Sequence, residues 1–461
     1  MQFGWHLITR EFHCGKIFRN QIIPKSLHDV NSILTSNEYS REFESENRTH
    51  ACSSYDSNQL GSNSPCEDAR TEGSFLHAAG LLVGIFDGHA GGACAQVVSK
   101  RILRYLAASL IPQNALYQEM INGGKSSSFL KCHNDKHDFV EELRDLYENS
   151  FKKFTNELLE NSRTDPEPYD LSKLMENAFL RLDKDISDEA MFSGISQTLS
   201  VALSGSVSVV AHVAKNHLHV AACGDCQAVL GSINEHGHWV ATKLNHEHNA
   251  ENTAEVKRIL SEHPGSERDT IIRGDRLLSQ LAPLRAFGDF RYKWPREKLE
   301  KLIVPHFGDQ VVPPHYHTPP YLTAKPDVQY HMLTPKDKFL VLASDGLWDV
   351  LNPLEVVHLV GEHSIGKASL QPFKLPKKQK LTLNELNEML KARKLGMEMP
   401  IDKNASTHLI RYALGGTDFG LDNARLFHLL SLPSDIVRLF RDDITITILY
   451  FDSEYLRNLP A

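Results

Sequence analysis

Three strand-like apolar segments, far apart in the chain, each have an aspartate at one end. These aspartates are Asp87, Asp345 and Asp442, and Asp87 is followed by Gly88 and His89. Carboxylates that meet at the ends of apolar strands are costly to bring together unless a cation neutralises them. Oxygen donors of this kind suit Mg²⁺ or Mn²⁺ rather than zinc. The pattern therefore predicts a metal-dependent enzyme.

The composition narrows the classes of protein that fit. The chain has 461 residues, is 41% hydrophobic and carries a formal net charge of -8. A sizeable core is therefore available, whereas nucleic acid is excluded as the main partner because phosphate binding needs a basic patch. No apolar stretch reaches 18 residues, so the sequence predicts no membrane span.

The elements that must position the aspartates are segregated along the chain. Apolar periodicity predicts helices at 93–110, 139–158, 171–186 and 249–260. Short β-prone runs separated by turn residues predict strands at 79–86, 198–213, 217–222, 228–233, 327–332 and 338–343. Segregated strands and helix pairs predict an α+β fold, an antiparallel β-sandwich flanked by helix pairs.

The remaining segments differ in character from these elements. Residues 111–138 show little pattern and are expected to form a loop, while 294–324 and 363–406 resemble insertions. Residues 1–28 are basic, acid-poor and apolar, which is typical of an organellar transit peptide, although a simple tail fits as well. The catalytic domain is expected to span 29–455.

A series of short motifs resembles the metal-dependent serine/threonine protein phosphatases of type 2C. One such motif is weak evidence, whereas seven in the order of the family are specific. They are PCED at 65–68, FDGHAG at 86–91, SGS at 204–206, CGD at 223–225, RAFGD at 285–289, ASDGLWD at 343–349 and RDDIT at 441–445. The resemblance implies the family's fold, with α-β-β-α layers.

The resemblance also implies a pair of Mg²⁺ or Mn²⁺ ions in the active site. Asp87 would bridge both ions and the Gly88 carbonyl would bind one of them. Asp345 and Asp442 would bind the other ion, with Glu67 beside them. Further aspartates would support these ligands or bind an auxiliary third ion: Asp68, Asp225 and Asp289.

The expected chemistry is hydrolysis of a phosphoserine. Two ions roughly 4 Å apart acidify a water molecule and hold the phosphoryl oxygens for attack. The departing serine oxygen is strongly basic, and His89, with an ordinary pKa of about 6.5, is expected to give it a proton as general acid. The alternative is that His89 is a structural residue that orients Glu67.

The chain departs from the family pattern near the phosphate. Many members have an arginine four residues before the motif glutamate to hold the substrate phosphate, and Asn63 stands there in this chain. Either Asn63 holds the phosphate more weakly or another group does so. The usual Gly-Asp-Ser-Arg is also changed, since Cys226 and Gln227 follow Asp225.

Some segments resemble one branch of the family, the mitochondrial pyruvate dehydrogenase phosphatases. These segments lie at 30–34, 37–40, 315–324 and 405–411. The likeness implies a matrix enzyme whose substrate is the phosphorylated E1 alpha subunit of the pyruvate dehydrogenase complex. It also implies two further partners, the lipoyl domain of the acetyltransferase core and a regulatory subunit, for which the residues give no signal of their own.

Other interpretations remain open at this point. The same fold is compatible with a catalytically dead scaffold, or with a phosphatase that acts on another phosphoprotein. Cys223 and Cys226 have the spacing of a zinc or redox pair, although their position favours a plain turn. Two histidine pairs have ligand-like spacing: His246 with His248, and His133 with His137.

Overall fold

The structure is a computed structural model that describes residues 26–134, 139–164, 170–366, 382–395, 400–417 and 420–459. Several sequence predictions fall outside these residues. They concern the transit peptide up to residue 25, the central part of the 363–406 insertion, and His137.

The described strands are short and are distributed along the whole chain. They are β1 (Tyr39–Glu42), β2 (Cys52–Leu60), β3 (Ala69–Phe75), β4 (Leu81–His89), β5 (Leu130–Cys132), β6 (Gly205–Ala214), β7 (His217–Cys223), β8 (Gln227–Ile233), β9 (Trp239–Lys243), β10 (Phe287–Gly288), β11 (Asp327–Met332), β12 (Asp337–Ala343), β13 (Gly416–Thr417), β14 (Gly420–Leu421) and β15 (Ile444–Phe451).

The described helices range from single turns to more than twenty residues. They are α1 (Leu27–Thr35), α2 (Ala93–Leu110), α3 (Gln113–Ile121), α4 (Glu141–Thr164), α5 (Leu171–Phe192), α6 (Ser196–Leu203), α7 (Thr253–Glu262), α8 (Arg268–Ile271), α9 (Arg296–Leu302), α10 (Val304–Phe307), α11 (Asp345–Trp348), α12 (Pro353–Ser364), α13 (Leu383–Leu395), α14 (Ala405–Gly415), α15 (Asn423–Leu430) and α16 (Ser453–Asn458).

The described chain forms two compact units. The first unit contains Glu67–Gln227 and Asn245–Met332. Its sheet has the strand order β11-β7-β6-β4-β3-β5, and β10 pairs with β6. Every neighbouring pair in that order is antiparallel. Helix α2 contacts β4 and α5 packs against α2, because α2 buries an apolar stripe that includes Val98, Ile102 and Leu106.

The second unit contains residues 26–66, Ala228–Leu244 and the chain from 333 onward. Its sheet has the strand order β1-β2-β15-β12-β8-β9. The core of this unit combines strand residues such as Val341 and Ile446 with helix residues such as Val357 and Ile410, all fully buried. A capping box, in which Asn352 and Glu355 bond each other's backbone, fixes the start of α12.

The predicted α+β class with antiparallel sheets and flanking helices is confirmed, but two segments were predicted wrongly. Residues 198–203, expected as strand, belong to α6, because Thr198, Val201 and Ala202 are buried at helical spacing and the strand begins only at Gly205. The segment 111–138, expected as loop, contains α3 and β5, and β5 pairs with β3. Short elements docked on a larger sheet leave little periodicity in sequence.

Candidate metal centre

Strand β4 carries three candidate residues at its end, in the first unit. Asp87, Gly88 and His89 lie opposite Val207, Ser206 and Gly205 of β6, in that order. Because side chains alternate across a strand, Asp87 and His89 point to the same face of the sheet. The backbone pairing with β6 therefore holds the carboxylate and the imidazole side by side.

Glu67 is packed directly against this strand end. A Cβ on Gly88 would fall well inside 3.0 Å of the Glu67 carbonyl oxygen, so only glycine allows this approach. The Glu67 carboxylate accepts a hydrogen bond of 2.8 Å from the Gly91 backbone N–H. The first unit thus brings Glu67, Asp87 and Gly88 together.

His89 is bound to Asp289, which lies 200 residues further along the chain. His89 Nε2 and Asp289 Oδ2 are 2.5 Å apart, and Asp289 is buried. Asp289 also has a left-handed φ of 51°, a conformation that non-glycine residues rarely adopt. The hydrogen bond thus joins His89 Nε2 to Asp289, and the alternative in which His89 orients Glu67 stays a prediction.

The charges around His89 favour its protonated form. Burial lowers the pKa of His89, but the charge and the hydrogen bond of Asp289 raise it, and the charges of Asp225 and Glu67 add to this. The net result is a pKa above the ordinary value of histidine. Asp225 lies half-buried in the turn between β7 and β8, and Asp68 is buried immediately before β3.

Gly205 makes room for the pair formed by His89 and Asp289. A Cβ at this position would overlap both His89 Nε2 and Asp289 Oδ2. The motif that contains Gly205 is visible in the sequence, yet its role is not. Only the register of β4 against β6 reveals why a side chain is excluded there.

The second unit brings Asp345 and Asp442 to neighbouring strand ends. Asp345 begins α11 directly after β12, and Asp442 precedes β15, the partner of β12. A Cβ on Gly346 would fall well inside 3.0 Å of the Asp443 carbonyl oxygen, so these two strand ends are in close contact. The two candidate ligands of this unit therefore lie at neighbouring strand ends.

Negative charge accumulates around Asp442. Asp349, one turn after Asp345, has a raised pKa because of burial and, secondly, because of the charge of Asp442. Gly346, Asp349 and Asp442 line a cavity of about 200 Å³. A divalent cation at this position would relieve the repulsion between the carboxylates.

Asn63 donates two hydrogen bonds to the carboxylate of Asp443. Its backbone N–H donates to Asp443 Oδ1 at 2.8 Å, and its side-chain amide donates to Asp443 Oδ2 at 3.0 Å. Ser62 N–H donates to Asp443 Oδ1 as well, at 2.5 Å.

Arg441 donates to Ser62 Oγ and to the Gly61 carbonyl, at 2.7 and 3.0 Å. Burial lowers the pKa of Arg441 to about 10, although nearby acids oppose the shift.

Two of the other candidate clusters have structural explanations. His248 is buried, its Nδ1 accepts from the Gly224 N–H at 3.1 Å, and burial lowers its pKa to about 4. Cys223 ends β7 and Cys226 precedes β8, so the pair spans a strand-to-strand turn, as favoured from sequence. Burial raises the pKa of Cys223 to about 12, which makes a reactive thiolate unfavourable.

The donor chemistry fits Mg²⁺ or Mn²⁺. Among the residues that the structure describes, no three His, Cys, Asp or Glu side chains form a compact ligand set by themselves. The predicted positions nevertheless offer only carboxylate and carbonyl oxygens, and hard cations complete such sets with water. The accumulated charge near Asp442 and the close packing of Gly88 on Glu67 agree with this chemistry.

Within the described ranges, no helix combines the length and apolarity needed to cross a bilayer.

Comparison with known proteins identifies the family. Residues 110–373, more than half of the chain, match the model described as Protein phosphatase 2C. A human relative named [Pyruvate dehydrogenase [acetyl-transferring]]-phosphatase 1, mitochondrial, is 42% identical over 446 residues, which cover 92% of this chain and 82% of the relative. Its human counterpart named phosphatase 2 is 39% identical over 95% of this chain and 85% of its own length.

A more distant relative from Schizosaccharomyces pombe, named Protein phosphatase 2C homolog C10F6.17c, is 33% identical over 87% of this chain and 81% of its own length. The mitochondrial localisation predicted from sequence is confirmed at the level of the organelle by the two human relatives. The extent of these matches leaves little of the chain unaccounted for. The chain belongs to the protein phosphatase 2C family of metal-dependent protein serine/threonine phosphatases.

Proposed function

We propose that this enzyme removes phosphate from phosphoserine on the E1 alpha subunit of the pyruvate dehydrogenase complex in the mitochondrial matrix. The observation that carries the proposal is the 42% identity to a relative named for this activity, which extends over 92% of the chain. The lipoyl domain of the acetyltransferase core and a regulatory subunit, both implied by the resemblance, stay predictions.

The catalytic centre is proposed to hold two Mg²⁺ or Mn²⁺ ions, with a third as an auxiliary ion. Asp87, the Gly88 carbonyl, Glu67, Asp345 and Asp442 would supply the ligands. Asp68, Asp225 and Asp289 would support them. When bound, such ions acidify a water molecule and withdraw charge from phosphoryl oxygens.

His89 is the proposed general acid. The attacking water loses one proton to solvent. As its oxygen bonds to phosphorus, the bond from phosphorus to the serine oxygen breaks, and His89 passes its proton to that oxygen and is reprotonated from solvent. Asp289 holds Nε2, which fixes the ring and stabilises the imidazolium, so Nδ1 is the nitrogen that faces the leaving group in this scheme. Asp289 is thus a positioning residue for His89.

Gly205→Ala should impair the enzyme through His89. The added methyl group would displace His89 Nε2 from Asp289 Oδ2, and a misplaced catalytic group costs roughly 10²-fold in rate. We therefore expect a fall of about that size in kcat on a phosphoserine peptide with Mg²⁺. The midpoint of thermal unfolding of each variant would show whether the fold is retained.

The matched control is Gly265→Ala. A Cβ at Gly265 meets no atom within 4 Å, so this variant should keep the activity of the natural enzyme. Wild-type kcat in a folded Gly205→Ala protein would remove the pair formed by His89 and Asp289 from the mechanism.

The substrate assignment has its own experiment. Release of phosphate from phosphorylated pyruvate dehydrogenase would be followed with Mg²⁺ and with excess chelator, alongside an unrelated phosphoserine protein at the same concentration. The proposal predicts Mg²⁺-dependent release with a clear preference in kcat/KM for the dehydrogenase. Equal kcat/KM values on both proteins would contradict the substrate while leaving the phosphatase activity intact.

A further inference from the structure

In the described part of the chain, both hydrogen bonds of the Arg441 side chain go to neutral groups. One Nη1 hydrogen is donated to Ser62 Oγ at 2.7 Å and one Nη2 hydrogen to the Gly61 carbonyl at 3.0 Å. No salt bridge joins Arg441 to a carboxylate in the part of the chain that the structure describes, and its Nε is buried without a hydrogen-bond partner. Of the four Nη hydrogens of the guanidinium, two are thus left for another acceptor, whereas the Nε–H is buried.

The segment that accepts the hydrogen bonds of Arg441 is itself fixed by hydrogen bonds. Ser62 and Asn63 donate backbone N–H groups to the Asp443 carboxylate, and Ser62 Oγ also donates to the Asp442 carbonyl at 2.8 Å. The guanidinium is therefore fixed next to the residue proposed to bind metal, Asp442. A fixed cation loses less conformational entropy when it binds a ligand than a mobile surface arginine does.

Arg441 also lines an open space. The cavity of about 200 Å³ that contains Asp349 and Asp442 is bordered by Arg441 and by Arg425. Arg425 is exposed and bonds the Gly416 carbonyl at 3.4 Å, so it is less firmly placed than Arg441. A phosphoryl group that entered this cavity would meet the Arg441 guanidinium beside Asp442.

Resting on the proposed function, we propose that Arg441 binds the phosphoryl oxygens of the substrate. It would bind the substrate phosphate, as an arginine at the position of Asn63 does in many family members. Asn63 is unsuited to that task because its amide already donates to Asp443. A partly buried guanidinium that forms no salt bridge is costly, and a phosphate dianion offers negative charge together with acceptors that match the planar fork.

The test compares Arg441→Ala and Arg441→Lys with the natural enzyme. The measured quantities are kcat/KM on a phosphoserine peptide and the inhibition constant of inorganic phosphate. We expect Arg441→Ala to lower kcat/KM and to raise the inhibition constant by about 10- to 100-fold each, the range expected for hydrogen bonds to a charged group. Arg441→Lys keeps the charge but loses the fork, so its values should lie between.

Arg438→Ala is the charge-matched control. Arg438 is exposed and lies three residues earlier in the chain, so its loss removes one positive charge without touching the cavity. Both measured constants should stay within about twofold of the natural values, as for most surface substitutions.

An inhibition constant for phosphate that is unchanged in folded Arg441→Lys and Arg441→Ala would overturn the inference. A purely structural role would lower the midpoint of thermal unfolding but leave this constant unchanged. If Arg441→Ala does not fold, the inhibition constant of phosphate for Arg441→Lys alone tests the inference. Failure of the natural enzyme to hydrolyse the peptide with Mg²⁺ would instead contradict the proposed function, so the two failures are distinguishable.

Discussion

Asp345→Asn should lower kcat on a phosphoserine peptide by roughly 10³-fold, since it would remove a proposed charged ligand from ions that would stabilise the transition state. The amide keeps the size of the carboxylate but loses its charge, so the ion is bound more weakly. Raising the Mg²⁺ concentration should therefore recover part of the activity. Phosphate release measured across a Mg²⁺ titration checks both expectations.

The control for this substitution is Asp435→Asn. Asp435 is an exposed acid of the same unit, and its replacement makes the same chemical change away from the strand ends. It should leave both kcat and the Mg²⁺ requirement unchanged. A folded Asp345→Asn enzyme with natural kcat at low Mg²⁺ would exclude Asp345 as a ligand.

His89→Ala should have an effect that depends on the leaving group. A serine oxygen needs a proton as it departs, whereas the phenolate that leaves an aryl phosphate is far less basic. General acid catalysis contributes about 10²- to 10⁴-fold, so we expect a loss of that size on the phosphoserine peptide. On p-nitrophenyl phosphate the loss should be much smaller.

The comparison with His236→Ala isolates the effect of the ring at position 89. His236 is exposed in the turn between β8 and β9 and should be replaceable without consequence on either substrate. Equal losses on both substrates in His89→Ala would rule out the general-acid role. His89 would then contribute only to the structure, through its hydrogen bond to Asp289.

Much of the fold that carries the site is predictable from sequence. Helix α2 and strand β11 have the predicted bounds, and for α2 the reason is a long, regular apolar pattern. Asp87, Asp345 and Asp442 are recognisable because each follows or precedes a buried strand. Their neighbours within each unit then follow from the pairing of β4 with β6 and of β12 with β15.

The contacts between distant segments are not predictable in the same way. Nothing in the local sequence joins His89 to Asp289, and Asp289 was expected only as a support for the ligands or an auxiliary ligand. Gly205 has a role only because β4 and β6 are paired in one register. The bonds from Arg441 to the loop at 61–63 likewise depend on the tertiary fold.

Binding of Mn²⁺, counted by electron paramagnetic resonance titration, tests most directly whether carboxylates remote in the chain share a pair of ions. Apart from the auxiliary ion, we expect two bound ions in the natural enzyme, one in Asp345→Asn and in Asp442→Asn, still one when both are changed, and neither in Asp87→Asn because Asp87 is proposed to bind both. If Asp87→Asn kept the ion that Asp345→Asn loses, the two ions would occupy separate sites. That result would contradict a shared centre.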